Sequence, residues 1–434
     1  MKAGILGGGL TGLTIGTHLN HDFEILEKNK ECGGLCRSIT DQGFTFDLGG
    51  GHIIFSRDND ILEFMKSLVK DNIIENKRNT KILHKGRYVK YPFENGIGEL
   101  PEEDALHCLT HFLSAANDKK AGKHTPPSNF EEWMYQTFGK GIAEMYLIPY
   151  NKKIWNFEPS KMAVDWVIDR IPQPPVEDII KSFLKIETEG YTHQLNFFYP
   201  RDGGIASTVN HLESKISEKI KKNINITKIE KKDKWIVHHD NGVEKYDKLI
   251  STIPVMELLG YMDDVPEDVM KAANDLKYNS LINVLIGVNK SKINDFHWTY
   301  IHEEDVKFNR LIFLSNYSPN VTPENKSSIA VEFTCNFNDE MWNKSDDEII
   351  NHVLSGLERK GIVNAEDICY SKVVKSKYAY VIYDLDYKKN IEKVLNFLES
   401  KGIEMCGRFS EFKYMNMDAC IKSAMKMANK INGV

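Results

Sequence analysis

Apolar positions along this chain fall into short runs and periodic stretches, and their order predicts strand, helix, strand from the first residues. The run Ala3-Gly4-Ile5-Leu6 predicts a buried strand that passes straight into Gly7-Gly8-Gly9-Leu10-Thr11-Gly12, with a helix opening near Thr11. A second apolar run, Phe23-Glu24-Ile25-Leu26-Glu27, predicts the next strand. Alternation from Lys81 to Lys90 predicts a hairpin turning at Lys85-Gly86. From Leu100 to about Glu187 the pattern is helical. Pro101-Glu102-Glu103 and Ser128-Asn129-Phe130-Glu131-Glu132 read as helix starts with acids in the first turn. Between them, Ala116 to Pro127 is rich in lysine and small polar residues and predicts an exposed loop. Trp235-Ile236-Val237-His238 with Asn241-Gly242 predicts a further hairpin, and Lys248 to Pro254 a strand returning to the first sheet. Residues 280–335 carry several strand-like runs, and Ala419 to Asn432 an amphipathic helix.

This order implies an α/β fold. A discontinuous Rossmann-like domain is expected over 1–75, 200–280 and 376–434, with a helical insertion over 99–190. An antiparallel substrate-binding sheet of about six strands is expected from 76–98 and 281–375. A chain of 434 residues is long enough for such a division. The net charge of −6 gives no sign of nucleic-acid binding, whose footprint is a basic surface. No stretch approaches the ~18 apolar residues of a membrane span. Met1-Lys2 runs directly into the first strand without a cleavable apolar core, so no signal peptide is expected. The seven cysteines are odd in number and lack Cys-x-x-Cys spacing, which predicts reduced thiols and a cytoplasmic location. Cys32 and Cys36 read as small packing residues, with a redox pair as the alternative. No metal is expected.

The glycines carry the chemistry. In a dinucleotide site Gly7 makes the tight turn, Gly9 lets the backbone approach a pyrophosphate, and Gly12 lets helix pack on strand. The helix N-terminus offers free N–H groups to the phosphates. Glu27, twenty residues after Gly7, is placed to accept hydrogen bonds from an adenosine ribose. A second glycine pair, Gly33-Gly34, and a third cluster, Gly49-Gly50-Gly51, follow within the first ~50 residues. Three backbone-exposing clusters fit an extended FAD better than a nicotinamide dinucleotide.

At this point the chain resembles the superfamily of FAD-dependent amine oxidases, protoporphyrinogen oxidases and UDP-galactopyranose mutases. Four segments together resemble the mutases, especially the eukaryotic type. They are Tyr91-Pro92-Phe93-Glu94-Asn95; Ile148-Pro149-Tyr150-Asn151-Lys152-Lys153-Ile154-Trp155 leading to Arg170; Trp298-Thr299-Tyr300 with Arg310 and Ser315-Asn316-Tyr317-Ser318-Pro319; and Tyr380 with Gly407 to Tyr414. The resemblance implies pyranose–furanose isomerisation of a nucleotide-diphosphate sugar, a UDP-hexose, with N5 of reduced FAD as nucleophile at the anomeric carbon. NADPH or NADH is the implied reductant, and Arg78 matches an arginine that helps admit it. An FAD-dependent oxidoreductase of the amine oxidase or protoporphyrinogen oxidase type is the alternative.

Carried over position by position, the resemblance puts FAD against Gly7, Gly9, Leu10, Thr11, Gly12, Glu27, Lys28, Gly34 and Leu35. It adds Gly50, Gly51, His52, Gly407, Arg408, Asn416, Met417 and Asp418. Arg170 and Arg310 match pyrophosphate-binding arginines and, with His52 beside the flavin, are the implied catalytic residues. Tyr300, Tyr317, Tyr380 and Tyr414 match tyrosines that hold the phosphates, while Tyr91, Phe93, Asn151 and Trp155 match the nucleotide end. Two positions depart. Glu94 stands where the mutases have a glutamine against uracil, and an ionised carboxylate, being acceptor-only, would take the base N–H and repel its carbonyls. The asparagine expected near the sugar aligns on Gln194, with Asn196 as the alternative.

Overall fold

In the computed structural model, which describes residues 1–167, 170–171, 173–186 and 195–434, the strand Lys2–Leu6 is the centre of a parallel sheet. Asp22–Leu26 pairs on one side and Lys248–Ser251 on the other, with Ile220–Lys221 and Ile403–Met405 at the edges. Central strands of a parallel sheet are covered on both faces and read as continuous apolar runs. Ala3, Ile5, Leu6, Leu249 and Ile250 are accordingly buried completely. The helices Leu10–His18 and Met417–Asn432 pack on one another beside this sheet, so the two ends of the chain build one domain.

A seven-stranded sheet forms the second layer, in the order Ile368–Ile382, Lys277–Val288, Ser327–Cys335, Arg310–Ile312, Trp298–Ile301, Thr80–His84, Arg87–Lys90. All its pairings are antiparallel except Trp298–Ile301 against Thr80–His84. Those two strands are separated by the whole helical region, so no tight turn constrains their direction. The borders expected at 280 and 376 fall inside continuous strands, because Lys277 pairs with Ile382 and the ladder runs unbroken past both points apart from bulges. The sheet therefore takes a few residues assigned to the dinucleotide domain.

The helical region contains Glu102–Lys120, Phe130–Ile142, Ile148–Trp155 and Val176–Phe183. Asn129 caps its helix by accepting the Glu132 N–H at 2.9 Å. The loop expected from Ala116 starts only after Lys120. Lys119 and Lys120 extend the helix because their charges oppose the negative end of its dipole. Gly139 and Gly141 bring the first two helices into backbone contact: a Cβ on Gly139 would lie 2.2 Å from the His111 oxygen. No helix among the described residues is long and apolar enough to cross a membrane.

Candidate functional site

The turn after Lys2–Leu6 is built by the three predicted glycines. Gly7 has a positive φ of 99°, and a Cβ there would meet the Thr252 hydroxyl at 2.7 Å. A Cβ on Gly12 would lie 2.0 Å from the Gly7 oxygen, so the helix rests directly on the turn. Gly9 points into open space toward Gly34, leaving bare backbone on the cavity side. Thr252 Oγ1 bridges the carbonyl oxygens of Leu6 at 2.8 Å and Gly7 at 3.1 Å, a brace that the sequence reading missed.

Glu27 is buried and first of all a support for that turn. Its Oε2 accepts the Gly8 N–H at 2.7 Å, while Oε1 accepts the backbone N–H and side-chain amide of Asn29 at 2.8 and 2.7 Å. An ionised carboxylate has roughly four acceptor positions, so one remains for a ribose hydroxyl. Cys32 and Cys36 are buried free thiols, and burial pushes Cys32 up to about 12 and Cys36 upward as well. Both are poor thiolate formers, which agrees with packing rather than redox chemistry.

A cavity of about 620 Å³ extends from this turn to the seven-stranded sheet. Its cofactor end is lined by Gly9, Leu10, Thr11, Lys28, Gly34 and Leu35, then by Gly51 and His52. The start of the last helix, Asn416, Met417 and Asp418, closes one side with its N-terminal end. Gly7, Gly12, Glu27, Gly50 and Gly407 stand just behind the wall and shape it. Gly407 has φ of 98° and lies where a Cβ would be 2.7 Å from Thr11 Oγ1.

The other end of the cavity is lined by Tyr300, Arg310, Tyr317, Tyr380, Arg408 and Tyr414. Tyr300, Arg310 and Tyr380 come from three strands of the sheet, Tyr317 from the end of the short turn Leu314–Asn316, and Arg408 and Tyr414 from the C-terminal segment. Burial raises Tyr300, Tyr317 and Tyr380 above the ordinary phenol range, so their hydroxyls stay protonated and able to donate. Arg408 stands 5.0 Å over the Tyr380 ring and 4.6 Å over the Tyr414 ring. Its Nε and Nη2 are buried without a partner among the described residues. A buried guanidinium with unpaired donors is costly unless an anionic group completes it. A dinucleotide or a phosphorylated ligand in this cavity fits that requirement.

Arg170 does not line the cavity. It donates to the Tyr414 carbonyl oxygen and lies 4.2 Å over the Tyr414 ring, so it reaches the site through one aromatic residue. Arg310 does line it, and its Nε donates to Glu332 at 2.5 Å. Glu332 is 1% exposed, and its other oxygen accepts the Gly51 N–H at 3.0 Å. Glu332 is not among the residues expected at the site, although a lone acid within the apolar strand Ser327–Cys335 is the available signal.

His52 Nδ1 lies 2.9 Å from the Gly50 oxygen. A carbonyl only accepts, so Nδ1 carries the proton and Nε2 keeps its lone pair. Burial, followed by the charges of Arg408 and Arg310, pushes His52 down to about 4 against the Gly50 bond. The ring is neutral at physiological pH.

The residues expected at the nucleotide end are set back from the cavity. Phe93 is fully buried and stacks on Tyr146 at 4.8 Å. Trp155 Nε1 donates to Asn151 Oδ1 at 3.0 Å, and Asn151 Nδ2 donates to the Leu147 oxygen at 2.8 Å. This pair satisfies itself along one helix face, and Trp155 packs behind Tyr380 and Tyr414 at 6.0 Å from each. Glu94 is buried, and Tyr91 packs on Tyr300 at 5.1 Å with Arg78 over its ring at 5.4 Å. Asn196 opens an exposed strand end and donates to Glu75 at 3.2 Å. Gln194 lies outside the described residues.

Residues 10–432 match the flavin containing amine oxidoreductase family. A crystal structure of reduced UDP-galactopyranose mutase is similar over 100% of this chain and 94% of its own, with a TM-score of 0.90 and 28% identity. A protoporphyrinogen oxidase structure from Exiguobacterium shares the fold at a TM-score of 0.77 and 17% identity, covering 99% of this chain and 98% of that one. Coproporphyrinogen III oxidase from Bacillus subtilis is 19% identical over 96% of this chain and 95% of its own length. The dTDP-fucopyranose mutase of Escherichia coli is 27% identical over 44% of this chain and 52% of its own length.

Proposed function

The chain belongs to the flavin containing amine oxidoreductase family, and on that premise we propose that it is an FAD-dependent mutase interconverting the pyranose and furanose forms of a nucleotide-diphosphate sugar. The observation that carries this reading is the cationic, hydroxyl-rich end of the cavity, continuous with the dinucleotide cradle. An oxidase acting on an apolar substrate has no use for Arg310, Arg408 and four tyrosines in one wall. The likeness to UDP-galactopyranose mutase over the full chain supports the same choice.

Gly9, Leu10, Thr11, Gly34, Leu35 and Gly51 would hold FAD, with Glu27 available to its ribose and the N-terminus of Met417–Asn432 available to stabilise negative charge on the reduced ring. When bound and reduced, it supplies the nucleophile for the anomeric carbon. Arg310 holds the diphosphate as charge grows on it, Arg408 is available to the FAD phosphates as the resemblance implies, and Arg170 holds Tyr414 in place beside the leaving group. The protonated tyrosine hydroxyls donate to phosphate and sugar oxygens. His52, neutral and fixed by Gly50, offers an acceptor at Nε2 beside the reacting sugar. Keeping the diphosphate within reach turns recapture of the sugar into a local event. NADPH or NADH primes the enzyme, and Arg78, which stands over the Tyr91 ring, is the residue that helps admit it. All seven thiols are free, and we assign the protein to the cytoplasm.

Glu94 leaves the nucleotide open. A carboxylate beside the base favours ring N–H donors over carbonyls. The decisive assay incubates dithionite-reduced protein with UDP-galactose and dTDP-fucose and looks for furanose products. Turnover confined to the reduced state is the expected result. The full-length likeness to coproporphyrinogen III oxidase favours an oxidoreductase as second reading. Peroxide formation with a porphyrinogen, and no furanose from either nucleotide sugar, establishes that one instead.

A further inference from the structure

Among the described residues, Glu332 is a carboxylate bonded to a lining residue at each end of the cavity, Arg310 and Gly51. It sits on the central strand Ser327–Cys335, 1% exposed, opposite Arg310 in the ladder. Its Oε2 takes the Arg310 Nε at 2.5 Å, and its Oε1 takes the Gly51 N–H at 3.0 Å. Among the described residues this is the one hydrogen bond that the Arg310 side chain makes, which leaves both terminal nitrogens of the guanidinium free for the cavity. The turn is moulded to the acid as well. Gly50 has φ of 96°, and a Cβ there would lie 2.3 Å from Glu332 Oε1, so no side chain fits between turn and carboxylate. His52 then hangs from the same turn through its bond to the Gly50 oxygen.

We propose that Glu332 is a positioning residue that ties Arg310 to the Gly50–His52 turn, so that occupancy of the diphosphate position is felt at the flavin side of the cavity. The proposal rests on the mutase reading for the identity of the anion, but the linkage itself rests on the geometry of Glu332, Arg310 and the Gly50–His52 turn. An anion drawn to the terminal nitrogens of Arg310 pulls on Nε. The buried carboxylate has no solvent to absorb that pull, and its second oxygen passes it to Gly51. Rigid packing around Glu332 makes the three groups move together or not at all. The acid thus acts through Arg310 and the turn, without touching substrate itself.

The test is a double-mutant cycle of Glu332→Gln and Arg310→Ala in the FAD-loaded protein, with two readouts. Glutamine keeps the volume but cannot accept from both donors without turning its own amide toward one of them. The first readout is the visible flavin spectrum of the ligand-free protein. Glu332→Gln shifts it, and the shift disappears in the Arg310→Ala background, because coupled neighbours are non-additive. The second is titration with UDP. In wild type UDP binds and perturbs the flavin bands; in Glu332→Gln it binds within about tenfold of wild-type affinity, the perturbation is lost, and kcat falls about a hundredfold with little change in KM. An unaltered ligand-free spectrum, or additive effects of the two substitutions, overturns the linkage. If wild type binds neither UDP nor dTDP while the ligand-free cycle stays non-additive, the linkage stands and the mutase reading falls.

Discussion

Arg170 donates a hydrogen bond to the main-chain oxygen of Tyr414, 244 residues away, and holds its guanidinium carbon 4.2 Å from the centre of the same residue's ring. Arg408 stands over that ring too, at 4.6 Å. Tyr414 is therefore held by two cations, one inside the cavity wall and one behind it.

Arg170→Ala removes the rear support and leaves the wall intact. The expected loss is about 1.5–3 kcal/mol of affinity for UDP, the range of a hydrogen bond to a charged group. FAD content should not change. Arg170→Lys does not restore the planar contact, since an ammonium neither stacks nor forks. Calorimetry on the purified variants reads this directly, and wild-type affinity in Arg170→Ala counts against the assignment.

Arg310→Ala acts on the chemistry itself. Turnover should fall about 10²–10³-fold, the scale of losing one preorganised donor. The substitution also leaves Glu332 buried and unpaired, at a cost of about 3–5 kcal/mol in stability. A melting curve with and without Glu332→Gln separates the two effects: the double variant should melt above Arg310→Ala alone.

Gly12→Ala tests the cradle. Its methyl would have to occupy space 2.0 Å from the Gly7 oxygen, and the helix cannot retreat without moving the turn. Destabilisation of about 1–3 kcal/mol is expected from overpacking. The purified protein should be colourless, and flavin absorbance per chain is the measurement.

Stability should decline in mild acid. His52, His297 and His302 are each pushed down to about 4 by burial, from an ordinary value of 6.5. Between those limits the unfolded chain binds protons that the native chain refuses, so stability is lost as pH falls through the window. Asp47 works the other way. Burial raises it to about 6 from 3.8, so the native carboxyl holds a proton that the unfolded one has released. Burial also lowers His84, His211 and His352 and raises Asp384, so the histidines outnumber the acids and acid is destabilising. Melting temperatures at pH 4.5, 5.5 and 7 should rise in that order, and a flat series contradicts the balance.

Much of the cofactor cradle was legible because it is local. Gly7, Gly9 and Gly12 act within six residues, and Glu27 closes the adjoining strand, so order along the chain already encodes their geometry. The hairpin at Lys85-Gly86 and the Asn129 cap are equally short-range. Phe93, Asn151 and Trp155 were less legible. Aromatic and amide side chains near a site read the same whether they face the ligand or brace the wall, and here they brace it.

What the chain order determined by itself was the α/β class and the dinucleotide turn, since periodicity and glycine spacing are properties of neighbouring residues, whereas the residues expected to meet a diphosphate came from the resemblance alone. Only the tertiary structure decided which cations share the cavity. It set Arg408 with unpaired donors in the wall, moved Arg170 behind Tyr414, and gave Arg310 its partner in Glu332. Those choices depend on how separate strands and the C-terminal segment close on each other. Burial and pairing of a charge are settled by the residues packed around it, and these come from every part of the sequence.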